Sequence, residues 1–84
     1  MTHRPRVTVY TRAGCGLCRE AEAVVADVAA ADADVEHIDI DADPALTDRY
    51  TVRVPVIAVD GEELFEYVVD PAGLLAAVRA AARR

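Results

Sequence analysis

Eighty-four residues allow one domain with one modest core and leave no room for a separate substrate domain, so residues 1–84 read as a single unit. The net charge is −6, all nine basic side chains are arginine, and that acidity argues against nucleic acid or an anionic membrane surface as a partner. Much of the 54% hydrophobic content is alanine and valine, with one phenylalanine and no tryptophan, so the core is expected to be thin.

The opening MTHRPRVTVYT has no apolar run of the kind a signal peptide needs. No window approaches a membrane span, and the chain reads as cytoplasmic. Residues 6–11, RVTVYT, alternate Val7 and Val9 with Arg6, Thr8 and Tyr10, as a strand does. Leu17, Ala21, Val24, Val25 and Val28 then recur at helical spacing with polar residues between them. Residues 35–40, VEHIDI, read as a second strand, and a helix between two such strands makes a right-handed βαβ unit with a parallel pair. Asp43-Pro44 supplies an N-cap and a first-turn proline for a short helix through about Tyr50. Residues 54–67 read as a buried strand, an Asp60-Gly61 hairpin turn and a partner strand with Leu64, Phe65 and Tyr67. Asp70-Pro71 caps a last helix whose Leu74, Leu75 and Val78 face the sheet, with Arg79, Arg83 and Arg84 near its carboxyl end. The order is that of an α/β domain with a four-stranded mixed sheet, a parallel pair plus an antiparallel hairpin, flanked by helices.

The only two cysteines, Cys15 and Cys18, fall in YTRAGCGLCRE, where the first strand gives way to the first helix. A cysteine at a helix start meets unpaired N–H groups and the positive end of the helix dipole, which favours its thiolate. Cys15 is therefore the expected nucleophile, and Cys18, one turn further in, the expected resolving thiol. A disulfide closing so small a loop stabilises by only about 2 kcal/mol on the chain-entropy model, so such a bond would not be kept mainly for stability. In a reducing compartment a close pair is more often catalytic or metal-binding than a permanent cross-link. A zinc site would want four ligands, and beyond this pair only His3 and His37 remain. The alternatives from the class of binding modules are an iron–sulfur cluster shared between two chains, each giving Cys15 with a thiol cofactor, since Gly16 does not crowd the motif, or a redox-switched interaction protein without turnover. The acidic run from Asp32 to Asp48 reads as a solvated face, and Asp39 within it is a weaker candidate for accepting a proton during exchange. His37 and Tyr10 receive no role.

With CGLC after the first strand and Val-Pro-Val before the third, the whole chain resembles a glutaredoxin-like member of the thioredoxin-fold superfamily. It is most similar to a small bacterial group with CxLC and a run matched here by Arg49-Tyr50, Val54-Pro55-Val56 and Asp60-Gly61. The resemblance implies a thiol–disulfide oxidoreductase, monomeric and without a bound organic cofactor. It implies a cis Val54-Pro55 bond facing the disulfide and a Val54 backbone that pairs with an extended substrate. On this reading Arg12, Gly14, Gly16, Leu17, Arg53, Val54 and Pro55 form the substrate-binding surface around Cys15 and Cys18.

The chain also departs from its relatives. Thioredoxins carry Trp before the motif and Gly-Pro inside it, whereas Gly14 and Gly16-Leu17 stand here. Typical glutaredoxins carry a lysine where Arg12 stands, a threonine where Arg53 stands, and a Gly-Gly pair that holds a glutathione carboxylate where this chain has Val68-Val69. With that pair replaced, a protein disulfide or a protein thiol reductant is the expected partner, and glutathione a slower co-substrate. Arg12 and Arg53, with Arg19 and Arg49, are expected to form a positive collar around Cys15.

Overall fold

The structure, a computed structural model, describes residues 3–84. Strand β1 (Arg6–Thr11) leads into helix α1 (Gly16–Val28), strand β2 (Asp34–Asp39), a 3-10 turn (Ile40–Ala42) and the short helix α2 (Pro44–Tyr50). Strands β3 (Val56–Val59) and β4 (Glu62–Glu66) and helix α3 (Pro71–Ala82) complete it. The sheet order is β2-β1-β3-β4. β1 runs parallel to β2 and antiparallel to β3, and β3 and β4 form the antiparallel hairpin. This is the mixed sheet read from the sequence.

Local chemistry explains most of the boundaries. Asp43 accepts from Ala45 N–H and Asp70 from Gly73 N–H, each just ahead of a proline, so both helices start where their caps stand. Asp60 and Gly61 both have positive φ, the requirement of a tight hairpin turn whose twist matches its strands. The second strand begins one residue early, at Asp34, whose N–H reaches Pro5 C=O at 2.9 Å. It ends one residue early because the Asp39 carboxylate accepts from Asp41 N–H and turns Ile40 into the 3-10 turn. Tyr67 lies outside the partner strand: it stands past the end of β4 with φ +65°.

The two-residue period of the strands divides the interior. Val7, Val9, Ile57 and Val59 point to one face and pack with Ala21 and Val25 of α1 and with Leu74, Val78 and Ala81 of α3. Val56 points to the other face and joins Cys18, Ile40, Tyr50 and Val54, with Tyr10, Cys15 and Leu46 against them. Leu17 was expected on the buried stripe of α1 but is 42% exposed. The stripe runs through Cys18, Ala21 and Val25, and at 100° per residue Leu17 is turned off it.

Leu74 is fully buried and is the largest side chain that α3 sends into the main core. Leu74→Ala is expected to cost about 2–5 kcal/mol, a large part of the stability of a domain this small, read as a lower denaturant midpoint with an unchanged slope.

Candidate functional site

β1 stops at Thr11, and residues 12–14 turn the chain into α1. Gly14 makes that turn possible with φ +74°, a region that costs a residue bearing a Cβ about 1–2 kcal/mol. Cys15 is the N-cap of α1, with extended backbone, and its Sγ accepts from Cys18 N–H at 3.1 Å. A sulfur thus occupies the position that Ser or Asp fills in an ordinary cap. Cys15 and Cys18 are joined as a disulfide, with Cα atoms 5.2 Å apart. Cys18 is wholly buried, while Cys15 remains half-buried at the surface.

A second segment meets the pair. The Val54–Pro55 peptide is cis, as the resemblance implied, and both residues are buried. Val54 packs in the same cluster as Cys18, with Cys15 against it. Neither its N–H nor its C=O has a hydrogen-bond partner among the described residues, whereas Pro55 C=O accepts from Tyr67 N–H at 2.9 Å. The Tyr67 hydroxyl donates to Val52 C=O at 2.9 Å, which ties the connection after β4 to the loop before β3. Leu17, Val52, Tyr67 and Val68, from the motif and these two segments, are exposed by 42%, 76%, 43% and 72%. Of the expected surface residues, Gly16 and Leu17 are therefore open to solvent, and nothing lies within 4 Å of a Cβ built on Gly16.

The arginines do not form the expected collar of free charge. Arg12 holds Asp41 at 2.7 and 3.1 Å and donates to Thr51 C=O at 2.8 Å, which ties the turn before the motif to the end of α2. Arg19 pairs with Glu22 at 2.7 Å, and Arg53 binds both Glu63 at 2.7 Å and Glu66 at 2.9 Å. Arg49 approaches Glu63 at 3.4 Å. Arg19 meets its carboxylate one turn along α1, whereas Arg12, Arg49 and Arg53 meet theirs because Asp41 and the acidic residues of β4 fold against them, which charge counting along the chain does not reveal. Two of those carboxylates answer electrostatically: Arg12 holds Asp41 below its ordinary range, and the Tyr50 hydroxyl followed by Arg53 does the same for Glu63. Asp39 is spent as the cap of the 3-10 turn. His3 bonds Asp60 at 2.8 Å, and His37 is exposed on β2. Among the described residues no group of three or more His, Cys, Asp or Glu is placed to hold a metal ion.

Sequence reasoning missed the role of Tyr50. Its ring is buried and stacks on Tyr10 with centroids 4.4 Å apart, its hydroxyl donates to Glu63, and the guanidiniums of Arg49 and Arg53 lie over it at 5.3 and 5.2 Å. Burial, with the Glu63 and Tyr10 contacts, pushes its phenol well above the ordinary value. The available signals were an aromatic at the end of a short helix and the Arg49-Tyr50 pair in the run matched to the family, and neither points to Glu63.

The fold and this cysteine pair define a thioredoxin-fold protein suited to redox chemistry. The chain belongs to the glutaredoxin-like domain family (DUF836), whose model matches residues 6–79. It is 36% identical over 73 residues to uncharacterized proteins of Mycobacterium bovis and Mycobacterium tuberculosis, covering 80% of this chain and 75% of theirs. Among solved structures, a structural-genomics target from X. campestris matches with a TM-score of 0.75 and 36% identity, covering 89% of this chain and 97% of that one. A thioredoxin variant from Halobacterium salinarum matches with a TM-score of 0.70 and 31% identity, covering 95% and 76%. Yeast mitochondrial thioredoxin 3, at 18% identity, covers 93% and 79% with a TM-score of 0.64 and shares the fold.

Two predictions follow from this geometry. Gly14→Ala is expected to destabilise by about 1–2 kcal/mol and Gly16→Ala to be neutral or stabilising by up to about 1 kcal/mol, both read from denaturant midpoints. Equal effects would mean that the turn does not need its positive φ. The second concerns acid. Glu63, Asp41 and Asp60 all have folded values below the ordinary one. Their contribution to stability is fully present above the ordinary value, near 4, and is lost as pH falls through the lower folded values. Midpoints measured from about pH 6 to about pH 2 should decline across that window, and Glu63→Gln should make the decline shallower. A Glu63→Gln profile parallel to the wild type would remove Glu63 from the account.

Proposed function

We propose that this protein is a dithiol oxidoreductase in which Cys15 is the nucleophile and Cys18 the resolving thiol. The observation that carries this reading is the placing of the two sulfurs: Cys15 caps a helix at the surface, and its partner lies wholly within the core. A thiolate at Cys15 has the first-turn N–H groups and the helix dipole to stabilise it. Reduced Cys15 attacks one sulfur of a substrate disulfide, whose S–S bond breaks and releases one substrate thiolate. Cys18, as thiolate, then attacks the Cys15 sulfur of the mixed disulfide and releases the second. The substrate gains two electrons and two protons, and the Cys15–Cys18 disulfide is regenerated for reduction by an external thiol donor. Family membership and the likeness to a thioredoxin support the same chemistry.

For the substrate, the surface favours a protein disulfide over glutathione. Arg12, Arg19, Arg49 and Arg53 already hold carboxylates, so none stands ready for those of glutathione. Exposed Leu17, Val52, Tyr67 and Val68 instead offer apolar contact on segments bordering the pair. The backbone N–H and C=O of Val54, unpaired among the described residues, can pair with an extended chain, as a sheet edge does with a peptide. Within this reading the protein works as a cytoplasmic monomer.

The test is the reduction of insulin disulfides with a dithiol donor, together with trapping. Cys18→Ser should accumulate a mixed disulfide on Cys15, Cys15→Ser should accumulate little, and alkylation of the reduced protein at neutral pH should label Cys15 first. Trapping on Cys18 instead would reverse the roles, and a wild type that leaves insulin oxidised would remove the oxidoreductase reading.

A further inference from the structure

Glu63 lies on β4, at a distance in sequence from either cysteine, yet it gathers the groups that hold the loop before β3. One carboxylate oxygen accepts the Tyr50 hydroxyl and faces Arg49 at 3.4 Å; the other accepts Arg53 Nη2 at 2.7 Å. Arg53 is fixed a second time by Glu66, at 2.9 and 3.1 Å, and its backbone N–H reaches Tyr50 C=O at 2.8 Å. The bonded residues bracket Thr51 and Val52 and end immediately before Val54. From the other side Tyr67 holds Val52 C=O and Pro55 C=O.

We propose that Glu63 is a positioning residue for exchange with protein disulfides: by clamping Tyr50 and Arg53 to β4 it sets where the backbone of Val54, unpaired among the described residues, stands beside Cys15. The inference rests on the oxidoreductase reading above and adds the group that aligns the substrate chain. The physical case is one of burial and entropy. α2 has only seven residues, too few to persist without tertiary support, and the loop after it makes one backbone bond of its own between Tyr50 and Arg53. A free loop would have to be ordered at each binding event, and that cost would weaken capture of an extended chain. The clamp removes the cost in advance. Glu63 suits the task because its side chain is only 25% exposed, which shields its pairs with Arg53 and the tyrosine from solvent better than those of Arg49 or Glu66. Tyr50 carries the effect inward, since its ring packs in one cluster with Cys18 and Val54.

The experiment compares Glu63→Ala, Glu63→Gln and the wild type by three readouts at a temperature where circular dichroism shows all of them folded. Amide hydrogen exchange reads the clamp: the Arg53 and Tyr67 amides should exchange roughly tenfold or more faster in Glu63→Ala, while those of β1 are unchanged. Insulin reduction reads the consequence: KM should rise by roughly tenfold with kcat within about twofold, and Glu63→Gln, which keeps an acceptor for Tyr50, should recover part of the loss. Reduction of a small disulfide such as hydroxyethyl disulfide, which presents no backbone to Val54, should stay within about twofold. A general loss of structure would instead move all three readouts together, and that result would overturn the proposal, as would an unchanged KM for insulin or unchanged exchange at Arg53 and Tyr67. Should the wild type fail to reduce insulin, the oxidoreductase reading falls and with it the positioning role, while unchanged exchange beside an active wild type sinks the positioning role alone.

Discussion

A fully buried cysteine decides how the rest of this molecule is arranged. Cys18 sits in an apolar cluster with Ile40, Tyr50, Val54 and Val56, so one end of the cysteine pair is core and the other is surface. Cores are close-packed, and whatever surrounds a buried sulfur is felt at the bond it makes. That ties the pair to three separate segments: the 3-10 turn after β2, which contributes Ile40; α2, which contributes Tyr50; and the loop before β3, which contributes Val54. The main core, built on Val7, Val9, Ile57 and Leu74, holds the sheet against α1 and α3 without touching this cluster's chemistry. The two-residue period of the strands allows the division, because adjacent residues of β3, Val56 and Ile57, serve different cores.

Electrostatics has a similar economy. A chain of net charge −6 would repel itself unless its cations were distributed to match, and six of its arginines, at 4, 6, 12, 19, 49 and 53, stand opposite carboxylates. Most of these pairs are exposed, and each singly adds little to stability. Their effect is geometric. Arg4 joins the start of the chain to Asp34, Arg12 joins the turn before the motif to Asp41 and Thr51, and Arg53 joins the loop before β3 to β4. Each tie holds an irregular segment, which has no ladder of backbone bonds to place it, against a neighbouring element.

How much of this was legible in the sequence depended on the range of the interaction. Features settled within four or five residues were readable. Asp43-Pro44, Asp70-Pro71 and Asp60-Gly61 each carry their own backbone instructions, and the elements begin or turn where they stand. The strand-to-helix turn that brings Cys15 to a helix start was readable for the same reason. Leu17 was misplaced because hydrophobicity does not say which apolar residue of a helix faces inward, and Cys18 had not been counted as part of the stripe. Tyr67 was given to β4 because its type suits a strand, while a tertiary bond from its hydroxyl to Val52 fixes it in a turn. For Arg12 and Arg53 the arginine collar failed on range. Arg12 finds Asp41 twenty-nine residues away and Arg53 finds Glu63 ten residues away, and no local pattern marks either partner.

Helix α2 shows why long-range ties had to fall where they do. It is seven residues long and packs only Leu46 and Tyr50 against the small cluster. Its beginning is secured locally: Asp43 caps it, and the Thr47 hydroxyl donates to Ile40 C=O at 2.6 Å, binding the first turn back to the 3-10 turn before it. Its end is closed locally only by the Arg53 N–H on Tyr50 C=O at 2.8 Å, since Thr51 ends it in ordinary helical conformation with no glycine. The carbonyls left over there need partners, and Arg12 supplies one by donating to Thr51 C=O. The aromatic ring at Tyr50 and its bond to Glu63 supply the rest of the anchorage. A short helix capped at its start and held from outside at its end delivers the following residues, Thr51 to Pro55, in one place, and that place is beside the cysteine pair.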